Sequence, residues 1–225
     1  MTYEKDTRNA YRNKIKAEAY KSQYTEGGKW ARFTMWRQKK IVKDLLVECS
    51  LRNGDRVLDI PCGAGYLGPA LSENEALIVA SDISLEMMEL AKNEYCKKKF
   101  YGFVQADITK SPFPTGYFTC VIVLALMHRL NETIRAEVLS EVVRMAKKYV
   151  IISYSVENSF QKLKQWLLLK VKPSYIPAPK SIPLNVMVEE MNSAGLKIIK
   201  QRSIVHFLSA KIVFLTTKVK ANSRS

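Results

Sequence analysis

Acid is what this chain of 225 residues is short of: 21 Asp and Glu stand against 36 Lys and Arg, a formal net charge of +15. Such a deficit draws polyanions, whether RNA, an anionic membrane surface or an acidic small molecule. A lysine-rich surface with no polyanionic partner gives the same balance, so charge alone selects none of them. Cysteine is scarce too. Cys49, Cys62, Cys96 and Cys120 make no C-x-x-C pair and have no histidine at ligand spacing. That argues against a disulfide framework and a structural metal, and predicts reduced thiols. No apolar run reaches eighteen residues, so no bilayer-spanning helix is expected. Met1 to Lys21 lacks the apolar core of a secretory leader. The expectation is a cytoplasmic protein, at most peripheral to the inner face of the membrane. Internal repeats and low-complexity tracts are also missing.

What the chain does have is apolar material: 47% of its residues are hydrophobic, enough for one domain with a substantial core. Residues 1–50 read as a basic N-terminal arm and helix. In it Trp30, Phe33, Trp36, Ile41, Leu45 and Leu46 recur at roughly helical spacing among lysines and arginines. From Arg56 strands and helices alternate, the signature of a parallel sheet covered on both faces. Strands are expected at 56–60, 77–81, 101–105, 117–124 and 149–154. Helices are expected at 65–74, 84–97 with Ser84 as cap, 131–147 and 184–194, the last ended by Gly195. Residues 196–203 and 205–216 predict an antiparallel hairpin at the sheet edge. The fold class is therefore α/β: a Rossmann-like, doubly wound, seven-stranded, mostly parallel sheet with an antiparallel edge strand in a three-layer α/β/α sandwich. The core spans residues 51–217 and is interrupted by an insertion at 157–183, rich in Lys and Pro. Residues 218–225 read as a frayed tail.

The most telling stretch is Val57-Leu58-Asp59-Ile60-Pro61-Cys62-Gly63-Ala64-Gly65-Tyr66-Leu67-Gly68. An apolar strand ends in a carboxylate and breaks into a glycine turn that opens a helix, which is how a buried strand presents a ligand to a helix N-terminus. Gly63 and Gly65 can take positive φ and admit close backbone approach. The stretch matches G-x-G-x-x-G, and Asp82 lies where a ribose carboxylate would sit in a dinucleotide fold. Against that reading, Asp59 precedes the glycines and would repel a diphosphate. Asp107, past the third strand, would also have no partner on a pyrophosphate. Three acids at three successive strand ends instead suit a cationic ligand.

These residues carry a family resemblance. Val57 to Gly65 resembles the first motif of class I S-adenosylmethionine (SAM)-dependent methyltransferases, commonly V-L-D-x-G-C-G-x-G. Val79-Ala80-Ser81-Asp82-Ile83-Ser84 with Met87 resembles the second, and Gln105-Ala106-Asp107-Ile108 the third. Phe113-Pro114 followed by Phe118 to Ile122 is similar to the segment that comes next. The resemblance covers residues 51–154 and implies SAM as cofactor, with S-adenosylhomocysteine (SAH) as product. It implies that Asp82 holds the ribose hydroxyls, that Asp107 receives the adenine amino group, and that Asp59, Pro61, Cys62, Gly63, Gly65, Ile83, Met87, Ile108 and Leu124 complete the cofactor site. Pro61 departs from the pattern, because proline stands where most members have glycine and offers no N–H.

In this fold the fourth strand ends beside the transferring methyl, which makes His128 the candidate general base. The other reading of His128 is a helix start satisfied by backbone. Arg129 is a candidate for a substrate carboxylate or phosphate. In related enzymes an N-terminal helix folds over the cofactor, so Trp30, Phe33 and Arg37 are candidates to close the site, with Trp166 as a candidate lid residue from the insertion. A helix with its aromatics packed inward accounts equally for Trp30. The Asn/Asp-Pro-Pro-aromatic motif of amino-group methylation on adenine, cytosine or glutamine is missing. The expected activity is methyl transfer to O, N or C of a small, amphipathic or lipid-like metabolite. The alternatives are an RNA or protein methyltransferase and a non-catalytic SAM-binding module. The basic segments leave an anionic membrane or RNA contact open.

Overall fold

The computed structural model describes residues 14–25, 28–73, 75–95, 98–156, 182–205 and 211–219. In chain order its elements are α1 (Lys14–Thr25), α2 (Lys29–Glu48), β1 (Arg56–Asp59), α3 (Gly68–Leu71), β2 (Leu77–Asp82), α4 (Leu85–Ala91), β3 (Phe100–Gln105), β4 (Phe118–Val123), α5 (Glu132–Met145), β5 (Ala146–Ser155), α6 (Leu184–Ser193), β6 (Leu196–Ser203) and β7 (Lys211–Lys218). One seven-stranded sheet has the order β3-β2-β1-β4-β5-β7-β6. β7 runs antiparallel to both of its neighbours, and every other pairing is parallel.

The near-continuous apolar runs of β1, β2, β4 and β5 follow from burial on both faces. Successive side chains alternate between the faces. Val57, Ile78, Ala80, Cys120, Ile122 and Ile151 meet the layer that holds Ile41, Val42, Leu45 and Leu46 of α2. Leu58, Val79, Val121, Val123, Val150 and Ile152 meet the layer that holds Val138, Leu139 and Val142 of α5 and Met187 and Met191 of α6. α5 and α6 are also joined by charge: Arg135 Nε donates to both carboxylate oxygens of Glu190 at 3.0 Å, with little of either side chain exposed.

Local chemistry sets the boundaries. Ser84 Oγ accepts from the Met87 amide at 3.1 Å and Asn131 Oδ1 from the Ile134 amide at 2.9 Å, the two caps that start α4 and α5. Gly195 (φ 84°) follows α6. Where sequence and structure differ, tertiary pairing prevails. The helix expected at 65–74 shrinks to α3, because positive φ at Gly65 (80°) keeps the chain in turns until Gly68. α5 stops at Met145 rather than 147, because Ala146 already pairs with Phe118 as the first residue of β5. Lys218, expected in the tail, is the last residue of β7, and the Val219 amide donates to Gly195 O at 2.9 Å. The insertion at 157–183 lies outside the described residues except for its end, where Ile182 bridges to Val156.

Helix α1 folds back over α4. Ala17 packs on Ala64 and Met87, and Lys21 Nζ donates to Leu90 O at 2.9 Å while pairing with Glu94 at 3.0 Å.

Candidate active site

The sheet order reverses direction at β1, with β2 on one side and β4 on the other, and open α/β sheets keep ligands in the crevice beyond such strand ends. A cavity of about 360 Å³ lies there. Its floor is Pro61 to Ala64 with Tyr66 and Leu67, flanked by Asp82, Ile83 and Met87 on one side and by Leu124 to Leu126, His128 and Arg129 on the other. Tyr20 of α1 and Ala31, Thr34, Met35 and Gln38 of α2 roof it. A smaller cavity of about 80 Å³ shares Pro61, Asp82, Ile83 and Leu126 with it and holds Asp107, Ile108 and Thr109. The structure thus brings Asp59, Asp82 and Asp107 to one continuous crevice from three separate strand ends.

The carboxylates are positioned by their neighbours. Asp59 ends β1, fully buried, and its Oδ2 accepts from the Tyr95 hydroxyl at 2.7 Å. Burial pushes its pKa up to about 7, against the lowering effect of that hydrogen bond, and nearby Asp82 adds to the rise. Asp82 Oδ2 accepts from the Gly63 amide at 2.8 Å and Oδ1 from the Ser84 amide at 2.9 Å. Burial raises its pKa as well, and these backbone donors oppose the rise. Asp107 Oδ1 accepts from the amide and hydroxyl of Thr109 at 3.0 and 2.8 Å. Two carboxyls made less acidic by burial favour a cation in the space they face. The sulfonium and ammonium of SAM are such cations, so this end of the crevice fits that cofactor.

The glycines divide the work differently from the sequence expectation. Gly63 takes φ 52° and turns the loop so that its amide reaches Asp82. Gly65 does not line the cavity: a Cβ there would come within 2.7 Å of Glu94 Cβ and 3.0 Å of Ala91 Cα. At Gly68 a Cβ would sit 2.3 Å from the Glu94 carbonyl oxygen. These two glycines let the loop close onto the turn after α4, and the Gly65 amide is spent on Cys62 O at 3.1 Å. Cys62 lines the cavity, but its amide donates to Ser81 O at 2.8 Å and burial pushes its thiol pKa far up. Pro61 lines both cavities.

The opposite end of the cavity is basic. His128 and Arg129 come from the turn after β4. Lys211, which sequence reasoning missed, joins them from β7. Because β7 is antiparallel, its first residue pairs with Ser155, the last of β5, and so reaches the ligand edge of the sheet. Burial lowers the His128 pKa to about 4, with Arg129 and Lys211 adding to the fall, so the imidazole is neutral near pH 7 and a weaker base than its residue type suggests. Lys211 is lowered too, first by burial and then by Arg129. Ala125 holds φ 57°, a left-handed conformation uncommon outside glycine, while its amide donates to Ser153 Oγ at 2.9 Å. It bends the chain around the cavity, and no residue type announced it. Tyr20, Gln38 and Tyr95 were likewise not foreseen. A lone tyrosine or glutamine on a helix carries no sequence signal, whereas Lys211 does, as a lysine opening the apolar run Ile212 to Leu215.

Trp30 and Arg37 line neither cavity: α2 turns Ala31, Thr34, Met35 and Gln38 inward and its aromatics outward. Trp166 lies outside the described residues.

Comparison with known proteins agrees with this geometry. Residues 57–149 match the family model described as a methyltransferase domain. The chain is 26% identical over 176 residues to the ubiquinone/menaquinone biosynthesis C-methyltransferase UbiE of Coxiella burnetii (strain RSA 493 / Nine Mile phase I), covering 68% of this chain and 70% of that protein. To UbiE of Pseudomonas aeruginosa (strain LESB58) it is 30% identical over 130 residues, 53% of this chain and 50% of the relative. Among solved structures, the magnesium protoporphyrin IX methyltransferase ChlM from Synechocystis PCC 6803 with bound SAH superposes with a TM-score of 0.77 at 17% identity, covering 96% of this chain and all of that one. With three carboxylates at three successive strand ends around a cavity suited to SAM, and a methyltransferase-domain match over residues 57–149, the chain is similar to the SAM-dependent methyltransferases.

Proposed function

We propose that this enzyme methylates O, N or C of a small, amphipathic metabolite, and that the acceptor binds at the basic end of the cavity. The observation that carries the reading is the polarity of one cavity: buried carboxylates at the ends of β1 and β2, and His128, Arg129 and Lys211 at the ends of β4 and β7. SAM supplies an electrophilic methyl group on a sulfonium. Asp59 holds the charge of the cofactor's amino group, Asp82 accepts from its ribose hydroxyls, and Asp107 with Ile108 lines the smaller cavity for its base. Leu124, Met87 and Ile83 exclude water from the crevice. His128, neutral, offers an imidazole nitrogen to a proton lost from the acceptor, and Arg129 and Lys211 hold a negative pole on it. The names of the relatives, which speak of ubiquinone, menaquinone and a porphyrin, support a small organic acceptor. The charge of +15 supports a peripheral place on the cytoplasmic face of a membrane.

The test is transfer of tritiated methyl from SAM into a lysate separated into lipid, small-molecule, RNA and protein pools. Label in the lipid or small-molecule pool is expected; label in RNA or protein alone would overturn the acceptor class. In parallel, Asp82→Ala should weaken SAH binding by ~1–3 kcal/mol. Unchanged calorimetric affinity would remove the ribose assignment.

A further inference from the structure

Helix α2 has a second face that the cavity does not use. Trp30, Phe33 and Trp36 lie three residues apart, so they fall on one side of the helix. They are 54%, 44% and 56% exposed. Their rings lean on one another, with centroids 5.9 Å apart from Trp30 to Phe33 and 6.0 Å from Phe33 to Trp36. The result is a continuous apolar ridge on the surface. Single exposed aromatics are ordinary, but a contiguous ridge marks a contact surface. Charge surrounds it: Lys29, Arg32 and Lys40 are exposed beside the ridge, with Lys40 Nζ 5.8 Å from the centre of the Trp36 ring. From Lys29 to Lys43 the helix contains six basic residues and no acidic one. Two acids border this stretch: Glu94, paired with Lys21, lines a hollow with Arg32, Trp36 and Lys39, and Glu73 pairs with Lys43 at the far end.

We infer that the outer face of α2 docks on an anionic lipid bilayer, with the Trp30–Phe33–Trp36 ridge at the headgroup boundary and Lys29, Arg32 and Lys40 among the lipid phosphates. Tryptophan at the interface and lysine or arginine toward anionic lipid is the division of labour of helices that lie on membranes. A second copy of this chain would bring the same cationic face against itself, which like charge opposes. Nucleic acid asks for aromatic faces open to stacking bases, whereas these rings lean against one another. The opposite side of α2 carries Ala31, Thr34, Met35 and Gln38 of the cavity roof. Docking therefore sets the cavity about one helix diameter, roughly 10 Å, from the lipid surface. The inference specifies the surface for the peripheral placement proposed above and stands without the methyl-transfer reading, because its test needs neither cofactor nor acceptor.

The test is flotation of the full chain with vesicles of phosphatidylcholine alone or mixed with phosphatidylglycerol, alongside tryptophan emission. Wild type should float with the anionic vesicles and not the neutral ones, and its emission should shift to the blue. Phe33→Ser with Trp36→Ser should cut vesicle affinity at least about tenfold. Arg32→Gln with Lys40→Gln should cut it on the order of fivefold for each charge removed. Both pairs are exposed, and unchanged thermal melting of each variant would show an intact fold. The inference falls if wild type ignores anionic vesicles, if both variants float like wild type, or if the same substitutions abolish an RNA gel shift or a dimer while vesicle binding is missing.

Discussion

On the role proposed for Asp59, cofactor affinity should depend on pH in a window where few carboxylates titrate. Its side chain is fully buried beside Tyr95 and Asp82, and burial lifts its pKa to about 7. If the ionised form is the one that receives the cofactor's ammonium, binding must expel the proton whenever one is present. The observed dissociation constant then scales as one plus the ratio of protonated to ionised carboxyl. Moving from about pH 8 to about pH 6 should weaken SAH binding roughly tenfold, or ~1.4 kcal/mol. Calorimetry in two buffers of different protonation enthalpy should register about half a proton released near pH 7. His128, lowered to about 4, stays neutral across this range and does not contribute. Asp59→Asn should bind more weakly and lose the pH slope. Tyr95→Phe removes the hydroxyl that favours the carboxylate, so its midpoint should move up. The unliganded protein should show the converse trend in stability. A carboxyl raised above its unfolded value binds more protons in the folded state, so stability should decline as pH climbs from about 4 to about 7. Wild-type affinity independent of pH, or a slope that survives intact in Asp59→Asn, would refute the assignment.

Further substitutions probe other parts of the argument. His128→Ala should lower turnover by ~10²-fold or more while SAH affinity stays close to wild type; wild-type turnover would remove it as the base. Gly68→Ala drives a methyl into the Glu94 backbone and should cost about 1–3 kcal/mol, read as a drop in melting temperature. An unshifted midpoint would mean that the turn after α4 yields freely. Arg135→Ala strands the Glu190 carboxylate between α5 and α6 and should cost about 3–5 kcal/mol in urea unfolding; a loss below about 1 kcal/mol would show that water reaches the pair.

The sequence disclosed the parallel sheet because buried strands have to be apolar on both faces, and the runs at 57–60, 77–80 and 120–124 can be little else. It disclosed the acidic end of the crevice because each acid stands at, or two residues past, the end of its own strand. The basic end was only half visible. His128 and Arg129 follow β4 in the same way, but Lys211 reaches the site through the reversed direction of a strand whose partner lies far away in the chain. The face of α2 was misjudged because Trp30, Phe33 and Trp36 were joined to Ile41 and Leu45 as one stripe. The five-residue step from Trp36 to Ile41 puts the two groups on different sides of the helix, and only the second is buried. The glycines at 65 and 68 answer to Glu94, a neighbour that periodicity does not reveal.

The reversal of β7 also bears on the order in which the site comes into being. During synthesis the strand ends that carry Asp59, Asp82 and Asp107 leave the ribosome long before Lys211, and the parallel strands β1 to β4 can pair without it. Lys211 takes its place only when β7 inserts between β5 and β6, among the last pairings the chain can make. A chain cut short before β7 would keep every carboxylate of the cofactor end yet lack the final wall of the cavity. On the proposed roles, the capacity to hold the methyl donor therefore arrives first, and the capacity to hold its acceptor comes with the last strand.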